Sequence, residues 1–183
     1  YVRVEYSYYA AELNAGSSYL DEQQLYINPV NCFLYPQATE NLGFEIQLHL
    51  PAHWEIVSGL HFQDNKTVVA NFDQLADSPF ICSGQIQRNS YEVNGITFHI
   101  CFNNQKQIPW EKVLEDFKRF TQQQIADFGE FPVPEFTFLI QSVPYAAYHG
   151  VEHLNSTVIA LGPSSEVFTT LYTELLGVSS HEL

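Results

Sequence analysis

The run Glu174-Leu175-Leu176-Gly177-Val178-Ser179-Ser180-His181-Glu182-Leu183 carries the clearest chemical signal in this 183-residue chain. A histidine followed at once by a glutamate on an apolar helix is the opening of H-E-x-x-H. In that pattern two imidazoles four residues apart share one helix face, because each residue turns the helix by about 100°. Both can then bind one zinc ion, and the glutamate between them can take a proton from zinc-bound water. The second histidine of the pattern would stand two positions past Leu183. A His-Glu pair that merely caps a helix or faces solvent is the plainer alternative.

A second candidate precedes that helix. The stretch Tyr145-Ala146-Ala147-Tyr148-His149-Gly150-Val151-Glu152-His153-Leu154-Asn155-Ser156-Thr157 puts Glu152 on a strand-like segment, two residues after Gly150. A peptide backbone could pair with such a strand while its free ammonium meets the carboxylate. Equally, Glu152 could face solvent from an edge strand, with His149 and His153 as ordinary surface groups. Spacing does not separate these two readings.

The run Gly150-Val151-Glu152-His153-Leu154-Asn155 and its continuation to Pro163, followed by LYTELLGVSSHEL, resembles the glycyl aminopeptidase family of zinc peptidases. These are gluzincins, often found with an appended PDZ domain and related to the aminopeptidase N group. The G-x-M-E-N strand of that group binds the substrate amino terminus. Val151, Glu152 and His153 stand as its closest equivalents, with the methionine absent and a histidine after the glutamate. Upstream, DEQQLYINPVNCFLYP and NFDQLADSPF resemble the β-sandwich that precedes the catalytic domain. The resemblance implies that His181 is a zinc ligand, that Glu182 is the general base and that Glu152 holds the α-ammonium. It gives Asn155 and Gly150 a part in aligning the peptide. The remaining ligands and a transition-state tyrosine would lie beyond Leu183. Zinc is therefore implied for an intact parent and not for these residues alone, which are expected to be inactive. The implied partner is a peptide with a free N-terminus.

The elements that must position these groups are legible in the hydrophobic pattern. YVRVEYSYY at residues 1–9 is β-branched and aromatic, and Leu25-Tyr26-Ile27 follows a turn at Leu20-Asp21. Phe44, Ile46, Leu48 and Leu50 alternate with Glu45, Gln47 and His49, the period of a strand with one wet face. Thr67-Val68-Val69-Ala70 and Phe80-Ile81-Cys82 read as further strands. Asn94-Gly95 joins Tyr91–Val93 to Ile96–Phe102 and is a strong hairpin signal. Pro109 opens a helix whose core face is Trp110, Val113, Leu114 and Phe117, and Gly129 stops it. Phe136, Phe138 and Ile140 mark a strand, and Val151 to Leu161 reads as one more. Pro163-Ser164-Ser165 begins a helix carrying Val167, Phe168, Leu171, Leu175 and Val178. This predicts a mixed β and α+β fold in two units. Residues 1–84 are expected to form a β-sandwich and residues 85–183 an α+β unit, which the resemblance implies is the incomplete start of a thermolysin-like catalytic domain. The last helix should lack packing partners and either fray or be covered by a dimer or crystal contact. Gly177, one turn before His181, should leave room for close backbone packing.

Composition narrows the rest. Seven basic against 21 acidic side chains leave −14, which repels polyanions, so nucleic acid and anionic membranes are not expected partners. No apolar run reaches the eighteen or so residues that a spanning helix needs. Fourteen Phe, 11 Tyr and 2 Trp supply ample core bulk. Cys32, Cys82 and Cys101 form no C-x-x-C pair and read as buried thiols. No targeting segment is visible, which fits a cytoplasmic or a periplasmic setting alike. Asn65-Lys66-Thr67 and Asn155-Ser156-Thr157 spell glycosylation acceptors, and His49, His53 and His61 have no ligand-like spacing. The competing function is a non-catalytic β-sandwich recognition module with an α+β extension, in which His181-Glu182 is incidental. That module would favour an aromatic groove within residues 1–84. An enzyme requires the Glu152 strand to border a cleft floored by the His181 helix, and a purely structural domain predicts neither.

Overall fold

The computed structural model describes residues 2–36 and 41–183. In chain order its first elements are β1 (Tyr19–Leu20), β2 (Gln24–Ile27), β3 (Phe44–Gln47), β4 (Glu55–Ser58), β5 (Lys66–Val69), α1 (Phe72–Ala76) and β6 (Phe80–Ser83). The later ones are β7 (Ile86–Val93), β8 (Ile96–Asn103), α2 (Trp110–Phe128), β9 (Glu135–Ser142), β10 (Ala147–Glu152), β11 (Ser156–Gly162) and α3 (Tyr172–His181). Among the described residues three sheets result, in the orders β1-β2-β6-β4, β3-β5 and β10-β11-β9-β8-β7. The protein is thus a β-rich α+β fold. Among the described residues no helix is long and apolar enough to cross a membrane.

The five-stranded sheet is the scaffold, and its two faces pack differently because strand side chains alternate. Phe98, Ile100 and Phe102 of β8, Phe136, Phe138 and Ile140 of β9, and Ile159 and Leu161 of β11 face Val113, Phe117 and Ile125 of α2 and Leu175 and Val178 of α3. The intervening Cys101, Leu139, Val158 and Ala160 face Ala15, Tyr26, Val57 and Ile81 of the N-terminal part. β9 and β11 therefore carry apolar residues in unbroken runs. Each fully buried large side chain stabilises by about 1.5–3 kcal/mol, so this doubly covered sheet is a rigid base. A buried amide chain also crosses between the sheets: Asn103 Nδ2 donates to Gln24 Oε1 at 2.8 Å and to Gln141 Oε1 at 3.0 Å.

Local signals explain most boundaries. Asn94 (φ 52°) and Gly95 (φ 81°) both take positive φ, the requirement of a type I′ turn, and register β7 on β8 as Val93 opposite Ile96. α2 starts after Pro109 and ends at Gly129, whose left-handed φ of 87° lets its N–H reach Ile125 O. Asp21 Oδ1 accepts from Gln23 N and Gln24 N and so makes the turn between β1 and β2.

Four expected elements form differently, and α3, expected to lack packing partners, instead buries Leu175 and Val178 in the core. Residues 2–9 form no strand, although Val2, Val4, Tyr6, Tyr8 and Tyr9 have the composition of one, and all five are exposed. β-propensity without a partner ladder does not make a strand, and the nearest pairing is a single bridge from Ala11 to Tyr19. Tyr1 of that run lies outside the described residues. The alternating stretch 44–50 keeps its burial rhythm, but the strand ends at Gln47. Val151 to Leu161 is two antiparallel strands, β10 and β11, because residues 153–155 turn the chain. Finally, the helix expected from Pro163 is a short 3₁₀ turn at Ser164–Glu166, and α3 begins only at Tyr172.

Candidate active site

β10 is an edge strand of the five-stranded sheet, so one side of its backbone has no neighbour within the sheet. Its period of two sorts its side chains. Val151 and His153 turn toward the N-terminal part, where Val151 packs beside Tyr26 and Val57 and His153 meets Asp77. Tyr148, Gly150 and Glu152 turn toward α3. Tyr148 lies against Gly177, and Gly150 lies beneath the Glu182 side chain.

That second approach is the closest in the site. A Cβ on residue 150 would stand 2.6 Å from Glu182 Cγ and closer still to its carboxyl, well inside van der Waals contact. Only glycine lets the end of α3 settle this near the strand. Glu182, the residue that caps α3, consequently brings its carboxyl to Glu152. Burial pushes the Glu182 carboxyl above the usual carboxylate range. The negative charge of Glu152 and a hydrogen bond between the two carboxyls add to the rise, while His181 and His149 oppose it.

Gly150, Glu152, His153, Leu154, His181, Glu182 and Leu183 line an open cavity of about 670 Å³, together with Phe131, Pro132 and Phe136. The structure thus brings together Gly150, Glu152, His181 and Glu182, residues separated by some thirty positions. Asn155 stands apart: its Nδ2 donates to Gly59 O at 2.8 Å, and its amide is spent on holding the turn after β10. Phe131, Pro132 and Phe136 have no reactive side chains, so nothing in the sequence singles them out for the site. Asp77 gave no local signal either, lying 76 positions from the His153 it bonds.

A partly charged cavity bordered by an unpaired strand edge can take an extended chain with an amino group near the carboxylates. Its Glu182, held protonated to higher pH than an ordinary glutamate, is suited to proton transfer. The other large hollow, about 680 Å³, lies between β4 and the far side of the five-stranded sheet. Its walls include Phe62, Arg88, His99 and Glu135, so it is not an aromatic groove confined to residues 1–84.

Comparison with known proteins bears on the same geometry. Residues 1–84 match the Peptidase M61 N-terminal domain. A crystal structure of an aminopeptidase N family protein from Idiomarina loihiensis aligns with a TM-score of 0.79 at 23 % identity. The alignment covers 95 % of this chain and 32 % of that one. The first match concerns residues 1–84, less than half of the chain. The structural likeness, at that identity, speaks for the fold, and the chain spans about a third of the length of that protein. No curated protein matches the chain.

The donor set does not by itself suit zinc. His181 contributes one imidazole, and no three His, Cys, Asp or Glu side chains among the described residues are disposed to hold one metal ion. Protein zinc sites use three or four such ligands.

Proposed function

We propose that this chain is the N-terminal portion of a zinc-dependent aminopeptidase of the glycyl aminopeptidase type. Residues 1–84 would be its β-sandwich module and residues 85–183 the opening of a thermolysin-like catalytic domain. The observation that carries this is the shared cavity: Glu152 on a free strand edge and Glu182 at the end of α3 face each other there across Gly150. The peptidase-family match over residues 1–84 and the aminopeptidase fold neighbour point the same way.

On this proposal the roles follow from position. Glu152 takes the α-ammonium of a peptide that lies along β10. Glu182 is the general base, its carboxyl already lifted by burial and by Glu152. His181, exposed at the last helical residue of α3, is one metal ligand, and the others come from residues outside these 183. No catalytic step is assigned to the present residues alone.

The test is a form of the protein extended beyond Leu183, assayed for zinc content and for hydrolysis of aminoacyl arylamides. Stoichiometric zinc and amino-terminal cleavage are expected. Glu182→Gln should cut kcat by roughly 10²–10⁴, and Glu152→Gln should raise KM for substrates with a free amine. An extended protein that binds no zinc, or an E182Q form with full activity, would overturn the proposal.

A further inference from the structure

The strand end that presents Glu152 is held from outside its own sheet. Asp77, the residue that ends α1, accepts from His153 Nδ1 on Oδ1 and from the Leu154 backbone N–H on Oδ2, each at 2.9 Å. The His153 side chain is 6 % exposed, and its other nitrogen, Nε2, is buried with no hydrogen-bond partner among the described residues. Among the described residues no other group bonds the ring in competition with Asp77. A carboxylate can only accept, so Nδ1 carries the proton and the ring orientation is fixed with it. Next along the turn, Asn155 grips Gly59 O so closely that a Cβ on Gly59 would collide with its amide.

Two N-terminal residues, Gly59 and Asp77, therefore clamp residues 153–155. His153 is the immediate neighbour of Glu152 and itself forms part of the cavity wall. We infer that Asp77 is a positioning residue of the site, acting through His153 and Leu154 to set where the Glu152 carboxylate stands. This rests on the reading of Glu152 as an amine anchor. The consequence is that the N-terminal part is a working component of the site and not a passive appendage. A carboxylate that must meet an ammonium gains from a fixed location, because disorder in the anchor is a cost borne at every binding event.

The experiment uses the 183-residue chain with ¹⁵N-labelled histidine and ¹³C-labelled glutamate, and compares wild type, Asp77→Asn and His153→Phe. The amide introduced by D77N can accept one bond but cannot dictate the ring proton, and the phenyl ring introduced by H153F keeps bulk without the bond. In wild type the His153 ring should show the Nδ1–H tautomer. In D77N the tautomers should mix, and in both variants the Glu152 carboxyl and the amides of residues 150–154 should shift while those of α2 stay in place. Titrated glycinamide, with N-acetylglycinamide as control, should bind D77N about tenfold more weakly than wild type, the scale of one lost charge-assisted hydrogen bond. Glu152→Gln should lose that binding. Unmoved Glu152 resonances in both variants would overturn the role of Asp77. Should D77N lose its spectral dispersion, H153F decides the same question. Should wild type fail to bind glycinamide, the amine-anchor reading falls, and the ligand-free Glu152 resonances still judge Asp77.

Discussion

Adding one methyl group at two glycines should have opposite effects, and the sign follows from what each methyl meets. In α3, a Cβ on Gly177 would touch only the Tyr148 hydroxyl at 3.6 Å, an ordinary contact. The close packing expected of this glycine is not there. Gly177→Ala should therefore recover most of the helix-interior penalty of glycine, about 1 kcal/mol, or about 2–4 °C in a chain of this size. In β10, a Cβ on Gly150 would stand 2.6 Å from Glu182 Cγ. That atom is near the root of the side chain, so relief needs the whole side chain or the end of α3 to move. Overpacking costs about 1–3 kcal/mol, against an entropic gain of about 0.4–1 kcal/mol from removing a glycine. Gly150→Ala should thus lose about 1–2 kcal/mol net. Urea denaturation followed by circular dichroism at neutral pH reads both changes. A ¹³C titration of the Glu182 carboxyl adds a local readout, because displacing Glu182 from Glu152 should bring its raised pKa back toward 4.5. The reasoning is refuted if G150A matches wild type in both stability and Glu182 titration, or if G177A is as destabilised as G150A.

Three further outcomes can be checked with the same chain. Glu152→Gln removes the like charge facing Glu182, so the Glu182 titration should move down part-way, the burial contribution remaining. A carboxyl with a raised folded pKa loses stability as pH climbs through that value, so E152Q should gain about 0.5 kcal/mol at neutral pH and little in acid, read by urea midpoints at both. Asp116 of α2 is the reverse case. Burial pushes its carboxyl up, but hydrogen bonds from Lys112 (2.6 Å) and Tyr172 (3.0 Å) and the Lys112 and Arg119 charges outweigh this and hold it low. Its contribution is present above the ordinary carboxylate range and fades as pH falls through the lowered value, so Asp116→Asn should cost about 1–2 kcal/mol at neutral pH and progressively less in acid. Burial lifts the Cys82 and Cys101 thiols to about 12, so an aromatic disulfide reagent should label neither in the native chain, and all three thiols in guanidinium. Fast native labelling of either would contradict the doubly packed sheet.

What could be read in advance was what is decided locally. The Asn94-Gly95 turn needs only two residues that tolerate positive φ, and the 110–128 helix needs only its apolar spacing, a proline before it and a glycine after it. Residues 2–9 have the same quality of signal and no strand, because a strand is completed by a partner that no stretch of sequence announces. The site shows the same division. His181-Glu182 and Glu152 stand out by residue type, whereas Asp77 and Gly59 matter only through contacts made 76 and 96 positions away.

Between these two kinds of information stands the register of β10, and on it the site depends. Glu152 pairs with Thr157 across the β10–β11 ladder, and Thr157 Oγ1 donates to Val151 O at 3.0 Å. A slip of one residue would carry every β10 side chain to the other face. Glu152 would then turn into the N-terminal core and His153 toward Glu182, which would both bury a charge and empty the cavity of its anchor. Edge strands are the ones most free to slip, having one partner instead of two. The turn held by Asp77 and Gly59 removes that freedom at the residue next to Glu152. Loosening that turn should therefore disturb the site before it disturbs the core, since Phe98, Phe138 and Ile159 on the inner strands do not depend on it.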